Sequence, residues 1–182
     1  MMELLAPAGG REALIAAVQN GADAVYLGAG AFNARKSADN FEGDGLKWAV
    51  DYCHARGVGV HVTVNTMVRQ EELPLLEKTV AEIYESGADA FIVQDLGVAE
   101  ICRAVAPEMV LHASTQMAVH NAAGVEYLAR RGFARVVLAR EMEFEEIRRC
   151  AGLGAELEAF VHGALCVSCS GQCRMSSMIG GR

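Results

Sequence analysis

Three cysteines close together form the densest group of residues in this sequence that could do chemistry. Cys166, Cys169 and Cys173 follow a predicted β-strand with the spacing Cys-x₂-Cys-x₃-Cys. Thiolates are soft ligands that suit iron–sulfur clusters, zinc or copper. A structural zinc site usually has two separated cysteine or histidine pairs, whereas here one pair is present, with His162 nearby. The spacing leaves two interpretations open: a metal or cluster site, or a loop with one buried thiol and two unused ones.

Polar residues recur where successive apolar runs end, and they supply candidate active-site side chains. His112, Ser114, Thr115 and Gln116 follow one such run. Four such residues together are costly to bury without partners, which favours contact with a substrate. The candidate catalytic residues are His112, Gln116, Glu141 and His162. The candidate substrate contacts are Asn33, Arg35, Asn65, Gln94, Asp95, Ser114 and Thr115.

Several of these candidates could have a purely structural role instead. The pairs Gln94–Asp95 and Arg140–Glu141 could be catalytic, or they could belong to a ring of ion pairs at the rim of a barrel. Arg35 could hold a carboxylate or phosphate with its forked guanidinium, or it could be a surface arginine in a loop.

A repeated unit positions these residues along the chain. A helical stretch ends at glycine, a short polar step follows, and an apolar run begins, as in Asn20-Gly21-Ala22-Asp23-Ala24-Val25 and Ser86-Gly87-Ala88-Asp89-Ala90-Phe91. Glycine suits the residue after a helix because it adopts the left-handed conformation at little cost. The apolar runs predict strands at 3–7, 24–28, 59–65, 90–94, 110–114, 135–139 and 157–162.

Helical patterns lie between the predicted strands. Apolar residues at three- and four-residue spacing predict helices at 12–19, 46–55, 71–85, 97–105, 122–130 and 143–150. Cys53, Cys102 and Cys150 fall within these patterns. Since a free cysteine often packs as a small hydrophobic residue, we expect these three in the core.

Strict alternation of strands and helices predicts a parallel sheet with right-handed crossovers. An open dinucleotide-binding sheet would need a glycine-rich fingerprint after its first strand, and Ala8-Gly9-Gly10-Arg11 does not match it. Polar residues at the ends of many strands instead favour an α/β fold of the TIM (β/α) barrel type. About seven units are present where a full barrel has eight. We therefore expect residues 1–182 to form one incomplete barrel domain, the N-terminal part of a longer protein, with open edges through which copies could associate.

Composition limits the class of protein. The chain has 182 residues, of which 52% are apolar and 21% charged, with a net charge of −7. Such a chain can build a large core, and its charge argues against a nucleic-acid surface over its whole length, although a local basic groove remains open. No apolar run approaches the ~20 residues of a membrane span, and the N-terminus lacks the pattern of a signal peptide. We expect a cytoplasmic protein with no membrane association.

Longer segments of the sequence resemble a known family. They include Leu4-Leu5-Ala6-Pro7-Ala8-Gly9, Phe32-Asn33-Ala34-Arg35, Val62-Thr63-Val64-Asn65-Thr66, His112-Ala113-Ser114-Thr115-Gln116, the run from Glu158 to Cys166, and Ser170-Gly171-Gln172-Cys173. Together they resemble the U-32 peptidase family, the collagenase-like proteins, over essentially the whole chain. Members are longer and continue into further cysteines and domains.

The resemblance implies oxygen-independent hydroxylation as one activity. Members are linked to hydroxylation of the tRNA wobble uridine, with prephenate as the oxygen source, of a 23S rRNA cytidine, and of the ubiquinone ring. Relatives of the last kind carry a [4Fe-4S] cluster on four cysteines. Cys166 and Cys173 match the first two ligands in position, and Cys169 departs from the pattern. The resemblance also favours Arg35 as a contact to substrate or RNA, and implies RNA as a partner through domains beyond this chain.

The family name implies peptide hydrolysis as an alternative activity. The sequence has no His-Glu-x-x-His zinc motif and no Gly-x-Ser-x-Gly elbow. A nucleophilic pair of Cys166 and His162 remains conceivable. A third alternative is a scaffold without catalysis, which would bind RNA or protein and no cofactor.

Overall fold

Seven parallel strands form the frame of the protein. The computed structural model describes residues 2–34, 39–163, 166–173, 175 and 178. The strands pair in chain order, each parallel to the next. They are β1 (Leu5–Pro7), β2 (Ala24–Gly28), β3 (Gly59–Val64), β4 (Ala90–Val93), β5 (Val110–Ala113), β6 (Arg135–Val137) and β7 (Glu156–Glu158). All seven predicted strands are present.

Six helices connect successive strands and cover the outer side of the sheet. They are α1 (Arg11–Gln19), α2 (Asp44–His54), α3 (Leu73–Glu85), α4 (Leu96–Val105), α5 (Ala122–Arg130) and α6 (Phe144–Cys150). The predicted start of α3 at residue 71 was wrong by two residues, because residues Gln70–Glu72 form a 3₁₀ turn before the helix. The predicted strands at 135–139 and 157–162 were too long, since pairing of β6 with β7 ends at Val137 and Glu158.

The repeated Gly-Ala-Asp step fixes each strand against its neighbour. Gly21 and Gly87 have φ of +88° and +85°, the left-handed conformation expected after a helix. The aspartates that follow bond to the backbone of an adjacent strand: Asp23 Oδ2 accepts from Leu4 N at 2.8 Å, and Asp89 Oδ2 accepts from Val60 N at 2.6 Å. The repeat therefore specifies both the turn and the pairing.

The two faces of the sheet differ in polarity. One set of alternate residues, including Val62, Phe91 and Leu111, packs with the helices in a single apolar core. Cys53, Cys102 and Cys150 are buried in that core, which confirms their predicted placement. Burial raises the pKa of Cys53 to about 11 and that of Cys102 to about 12, so both remain thiols.

The opposite face of the sheet encloses a polar lumen. Arg135 on β6 reaches Glu3, which lies just before β1, and its Nη2 lies 3.2 Å from Glu3 Oε2. A sheet must be rolled for its two ends to meet in this way. Strands β1 and β7 do not pair with each other within the described residues. The fold is thus an incomplete (β/α) barrel, as predicted, while association of copies through its open edges stays a prediction.

No helix in the described part of the chain combines the length and the apolar character needed to cross a bilayer.

Candidate active site in the barrel lumen

A cavity of about 210 Å³ opens at the carboxyl ends of the strands. Active sites of (β/α) barrels lie at this end, since the loops after successive strands converge there. The cavity combines amide, hydroxyl and carboxyl groups with apolar side chains. Its lining consists of Ala8, Gly9, Tyr26, Leu27, Gly28, Asn33, Ala34, Asn40, Thr63, Asn65, Ile92, Ser114, Thr115, Gln116, Val137, Glu158 and Phe160.

The segment after β2 folds over one side of the cavity. Ala34 N donates to Asn65 Oδ1 at 2.9 Å, and Asn33 Nδ2 donates to Gly30 O at 2.6 Å. Asn33 is only 1% exposed. Gly28 permits this arrangement, because a Cβ there would lie 2.5 Å from Asn40 Oδ1 and 2.9 Å from Asn33 Cγ. Asn65 therefore holds a wall of the cavity in addition to lining it.

The segment after β5 supplies a second wall. Ser114 Oγ accepts from Gln116 N at 3.2 Å and so caps the 3₁₀ turn Thr115–Met117. Thr115 Oγ1 donates to Leu138 O at 3.3 Å, which ties this turn to the end of β6. The Gln116 side chain is half-buried and makes no hydrogen bond to another group in the described parts of the chain. Its amide is available to a ligand.

Glu158, at the end of β7, places a carboxyl group in the cavity wall. Its Oε2 is buried and has no hydrogen-bond partner among the described residues, and it lies 3.7 Å from Arg135 Nη1. Burial raises the pKa of Glu158, and Arg135 only partly offsets the effect. Sequence reasoning missed this glutamate because it lies inside a short predicted strand. Glu158 lies two residues after Glu156, so both side chains lie on the same face of β7. This spacing was the signal in the sequence that could have identified Glu158.

A layer of ionisable groups lies beneath the cavity, towards the amino ends of the strands. The rings of His61 and His112 meet edge to face with centroids 4.7 Å apart. Burial lowers the pKa of His112 to about 3, with the nearby charges of His61 and Arg135 adding to the effect, and burial also lowers the pKa of His61. His112, predicted as catalytic, is thus a buried neutral imidazole that does not line the cavity.

Arg135 supplies the positive charge of this layer. It contacts the carboxylates of Glu3, Glu156 and Glu158 while its own side chain is only 12% exposed. Burial opposes its charge, but its hydrogen bonds to Glu3 and Glu156 outweigh burial and raise its pKa. The same contact lowers the pKa of Glu3. The guanidinium of Arg135 and the Glu3 carboxylate therefore stay ionised together.

The thiol loop, defined here as residues 166–173, is fastened to the end of β6. Ser170 is 1% exposed, and its Oγ accepts from Arg140 N at 3.1 Å and from Arg140 Nε at 3.2 Å. Ser170 N donates to Glu141 Oε1. Burial works against the charge of Glu141, but the bond from Ser170 outweighs it and lowers the pKa of that carboxyl. Arg140 and Glu141 thus hold the loop.

Gly171 brings the thiol loop against the cavity wall. It has φ of +76°, and a Cβ at this position would lie 2.6 Å from Gln116 O and 3.2 Å from the Cβ of Ala118. Any side chain there would displace the loop or the turn that carries Gln116. The thiol loop and the cavity are therefore one continuous structure.

The three loop cysteines are accessible but not equivalent. Cys166 and Cys169 are exposed and Cys173 is half-buried. Hydrogen bonds from the Ser168 backbone and from the Cys173 side chain lower the pKa of Cys166. In the described ranges no three His, Cys, Asp or Glu side chains are grouped to hold a metal ion. The two thiols in contact, Cys166 and Cys173, match half of a four-thiolate donor set.

Three other predicted site residues, Gln94, Asp95 and His162, do not line the cavity. Asp95 caps α4, accepting from Gly97 N at 2.7 Å. His162 is exposed beyond the end of β7. Arg35 lies outside the described residues. The structure brings together in the cavity Asn33, Asn65, Ser114, Thr115 and Gln116.

Curated proteins similar to this chain carry names of two kinds. The "23S rRNA 5-hydroxycytidine C2501 synthase" of Escherichia coli is 41% identical over all of this chain and 27% of its own length. The "tRNA hydroxylation protein P1" of Bacillus subtilis is 38% identical over 96% of this chain and 42% of its own. A "Collagenase" of Porphyromonas gingivalis is 34% identical over 96% of this chain and 44% of its own. The chain thus spans less than half the length of these relatives.

Solved structures agree on the fold. The U32 peptidase Mk0906 superposes with a TM-score of 0.70 at 16% identity, covering 87% of this chain and 68% of its own. A glycerophosphodiester phosphodiesterase from Agrobacterium tumefaciens superposes with a TM-score of 0.59 at 14% identity, covering 90% of this chain and 88% of its own. The model of peptidase family U32 matches residues 9–182. With that match over nearly its whole length, the chain belongs to peptidase family U32.

Proposed function

We propose that this chain is the barrel part of an enzyme that hydroxylates a pyrimidine base of RNA. The observation that carries the proposal is the polar cavity at the carboxyl face of the barrel, with the thiol loop packed against its wall at Gly171 and Gln116. Relatives at 41% and 38% identity are named for hydroxylation of rRNA and tRNA, which fits this arrangement.

The thiol loop suggests the cofactor of the proposed enzyme. Cys166 and Cys173 would be two ligands of a [4Fe-4S] cluster, since they are accessible thiols in contact and the pKa of Cys166 is lowered. The remaining ligands would come from outside the described residues. A bound cluster would supply one-electron transfer beside the cavity. The family resemblance further suggests prephenate as the oxygen donor.

The residues of this chain would position the reactants. Asn65 and Ser114 fix the two walls of the cavity through their bonds to Ala34 N and Gln116 N. Gln116 and Glu158 present polar groups to whatever enters. Arg140 and Glu141 keep the thiol loop at the rim through Ser170. The rigidity of these contacts would hold the base and the cofactor in one geometry.

Cofactor content can be measured independently of activity. We expect the anaerobically purified protein, at the full length that its gene encodes, to contain iron and acid-labile sulfide in near-equal amounts. Cys166→Ala should abolish both, whereas Cys53→Ala, which changes a thiol in the helical core, should leave both unchanged. Equal iron in the two variants would contradict the assignment of the loop.

The activity itself can be tested in the host cell. Nucleosides from the tRNA and rRNA of a strain lacking the gene would be compared by mass spectrometry with those of the parent and of a complemented strain. We expect one pyrimidine nucleoside to lose an oxygen atom in the deletion strain and to regain it on complementation. An unchanged nucleoside profile would overturn the proposal.

Peptide hydrolysis is the second candidate, because the Porphyromonas gingivalis relative is named a collagenase. It would require a nucleophile, and the hydrogen bonds of the described residues include none between His162 and Cys166. Cleavage of gelatin by the pure protein that is lost in Cys166→Ala would support this candidate in place of hydroxylation.

A further inference from the structure

We infer that the outer face of helix α2 is an interface at which two copies of this chain meet antiparallel about a two-fold axis. The α2 face comprises the residues that line one open surface groove of about 470 Å³: Asp44, Lys47, Trp48, Asp51, Tyr52, Ala55 and Arg56. It shares no residue with the lumen cavity, so the interface does not depend on the proposed function. Three properties support it: the stacking of its aromatic and arginine side chains, the order of its charges along the helix, and the balance of those charges.

The two sides of α2 differ in what they contact. The inner side buries four residues in the apolar core: Leu46, Ala49, Val50 and Cys53. On the outer side Trp48 and Tyr52 lie about one turn apart, with ring centroids separated by 5.3 Å and ring planes inclined by 31°. Both rings are only partly buried, since each packs against the edge of the core and also lines the groove. The accessible parts of the two rings are therefore left for a partner.

Two arginines extend the rings into a single stack. The guanidinium carbon of Arg11 lies 3.9 Å from the centre of the Trp48 ring. The guanidinium carbon of Arg56 lies 3.7 Å from the centre of the Tyr52 ring, and Arg56 Nη1 donates to Tyr52 O at 2.9 Å. These contacts hold the rings in one orientation, which lowers the entropy that the side chains lose when a partner binds. Tryptophan, tyrosine and arginine are also the residue types that contribute most binding energy at protein interfaces.

The order of residues along the α2 face makes the face complementary to itself. Asp44 and Arg56 each lie six positions from Val50, and Trp48 and Tyr52 each lie two positions from it. An antiparallel pair of helices that cross at the level of Val50 therefore places the Asp44 of each copy beside the Arg56 of the other. The same pairing lays Trp48 against Tyr52. A two-fold interface has this property because each contact occurs twice with the roles exchanged, whereas a parallel pair would place like charges together.

The balance of charge favours a protein partner over RNA. The groove is lined by two acids and two bases, and Lys47 Nζ donates to Asp51 Oδ1 within the same helix. Arg11 adds one positive charge at the edge of the groove. Surfaces that bind single-stranded RNA combine aromatic rings with a clear excess of positive charge, which this nearly neutral face does not have. Two copies of the chain can meet on it with opposite charges paired, although each carries a net charge of −7.

The size of α2 predicts a weak dimer. A helix of 11 residues is roughly 16 Å long at ~1.5 Å per residue. One such helix from each copy buries less than the ~800 Å² per partner of a standard stable interface. We therefore expect a dissociation constant on the order of 10 μM. Because the two helices run antiparallel, the two barrels point in opposite directions and both lumen cavities stay open.

Sedimentation velocity of the full-length protein tests the interface through an exchange of charges. Over a range of concentrations that spans the expected constant, the parent protein should pass from monomer to dimer. Asp44→Arg and Arg56→Asp should each weaken dimerisation at least tenfold, because each substitution places like charges together. The double variant that carries both changes should regain most of the lost affinity, because the same pairs form again with their signs reversed.

Matched controls separate the interface from changes in overall charge or stability. Glu85→Arg and Arg149→Asp make equivalent charge reversals at exposed positions of other helices, and both should dimerise like the parent protein. Tyr52→Ala should weaken dimerisation at least tenfold. Tyr127→Ala, which removes an exposed tyrosine that also stacks with an arginine, should leave it unchanged.

Three results would overturn the interface: a parent protein that stays monomeric throughout, single charge reversals that dimerise like the parent, or a double variant that binds no more tightly than they do. Binding of a single-stranded RNA oligonucleotide that is lost in Arg56→Asp, in a protein that forms no dimer, would overturn it as well and assign the α2 face to RNA. A dimer that survives every change on the α2 face would place the contact elsewhere, for example at the open strand edges.

Discussion

Arg135 and Glu3, 132 residues apart in sequence, are joined by paired hydrogen bonds across the lumen. The contact links β6 to the residues before β1, so it fastens the two ends of a sheet that does not close by strand pairing within the described residues. The same guanidinium faces Glu156 and Glu158. A single arginine therefore balances a group of acids inside the barrel.

Replacing this arginine should destabilise the fold strongly. In Arg135→Leu the carboxyl groups of Glu3, Glu156 and Glu158 lose their counter-charge, and breaking a fully buried ion pair costs about 3–5 kcal/mol. We expect a loss below that range in the free energy of unfolding by urea, since the side chains of Glu3 and Glu156 are 38% and 69% exposed and solvent screens their charge. Arg148→Leu removes an exposed pair with Glu145 and should cost less than about 1 kcal/mol. Equal costs in the two variants would contradict the role of Arg135.

The buried histidines should make stability depend on pH. Burial lowers the pKa of His112 to about 3, whereas a histidine in the unfolded chain titrates near ~6.5. Between these values the unfolded state binds more protons, so stability falls as the pH falls, by at most ~1.4 kcal/mol per pH unit for each such group. The lowered pKa of His61 likewise makes stability fall as the pH falls. The raised pKa of Glu158 has the opposite effect and makes stability fall as the pH rises.

The contribution of His112 can be isolated by difference. Urea unfolding of the parent protein and of His112→Phe would be compared at pH 7, 6 and 5. We expect the parent to lose more stability than the variant as the pH falls, although the variant starts from a different value at pH 7. Parallel pH profiles would show that His112 is protonated equally in both states.

The close approach of Gly171 to the Gln116 backbone should be sensitive to a single methyl group. Gly171→Ala places a Cβ 2.6 Å from Gln116 O, whereas a Cβ at Gly163, also at positive φ (+140°), would have no atom of the described residues within 4 Å. Both substitutions strain the backbone, and only the first adds a clash. We expect faster amide hydrogen exchange over residues 168–173 in Gly171→Ala than in Gly163→Ala. Equal exchange would mean that the loop is not packed on the cavity wall.

Asn65 should act through its acceptor atom. Asn65→Asp retains an oxygen for Ala34 N, while Asn65→Leu leaves that N–H without its partner and should cost about 1 kcal/mol of stability. In a complemented deletion strain we expect Asn65→Leu to lower the amount of hydroxylated pyrimidine in RNA as well, and Asn65→Asp to retain more of it than Asn65→Leu. The reverse order would show that the bond to Ala34 does not shape the pocket.

The fold could be predicted from sequence because its signals are local and repeated. Each Gly-Ala-Asp step marks a helix end and a strand start, and the aspartate pairs with the neighbouring strand. The ends of β6 and β7 were harder to predict, since apolar residues continue past Val137 after pairing has stopped. Pattern alone does not report where a partner strand ends.

The site was predictable only in part. Asn65, Ser114 and Gln116 were identified as polar residues at strand ends, and the barrel topology brings them to one cavity. Asp95 has the same sequence signature, yet it caps a helix. The roles of Glu158 and Arg135 follow from which face of each strand turns inward and from contacts across the lumen, such as that of Arg135 with Glu3. These depend on three-dimensional closure, which one-dimensional patterns do not encode.

The proposed hydroxylation takes place in the lumen cavity, and one measurement tests that claim most directly. A strain lacking the gene would be complemented with the parent gene, with Gln116→Ala, with Glu158→Gln or with the exposed control Glu85→Gln, and the hydroxylated pyrimidine in its RNA would be quantified by mass spectrometry. We predict parental levels for Glu85→Gln and at least a tenfold loss for both cavity variants at equal protein abundance. Parental levels in Gln116→Ala and Glu158→Gln would contradict the placement of the reaction in this cavity.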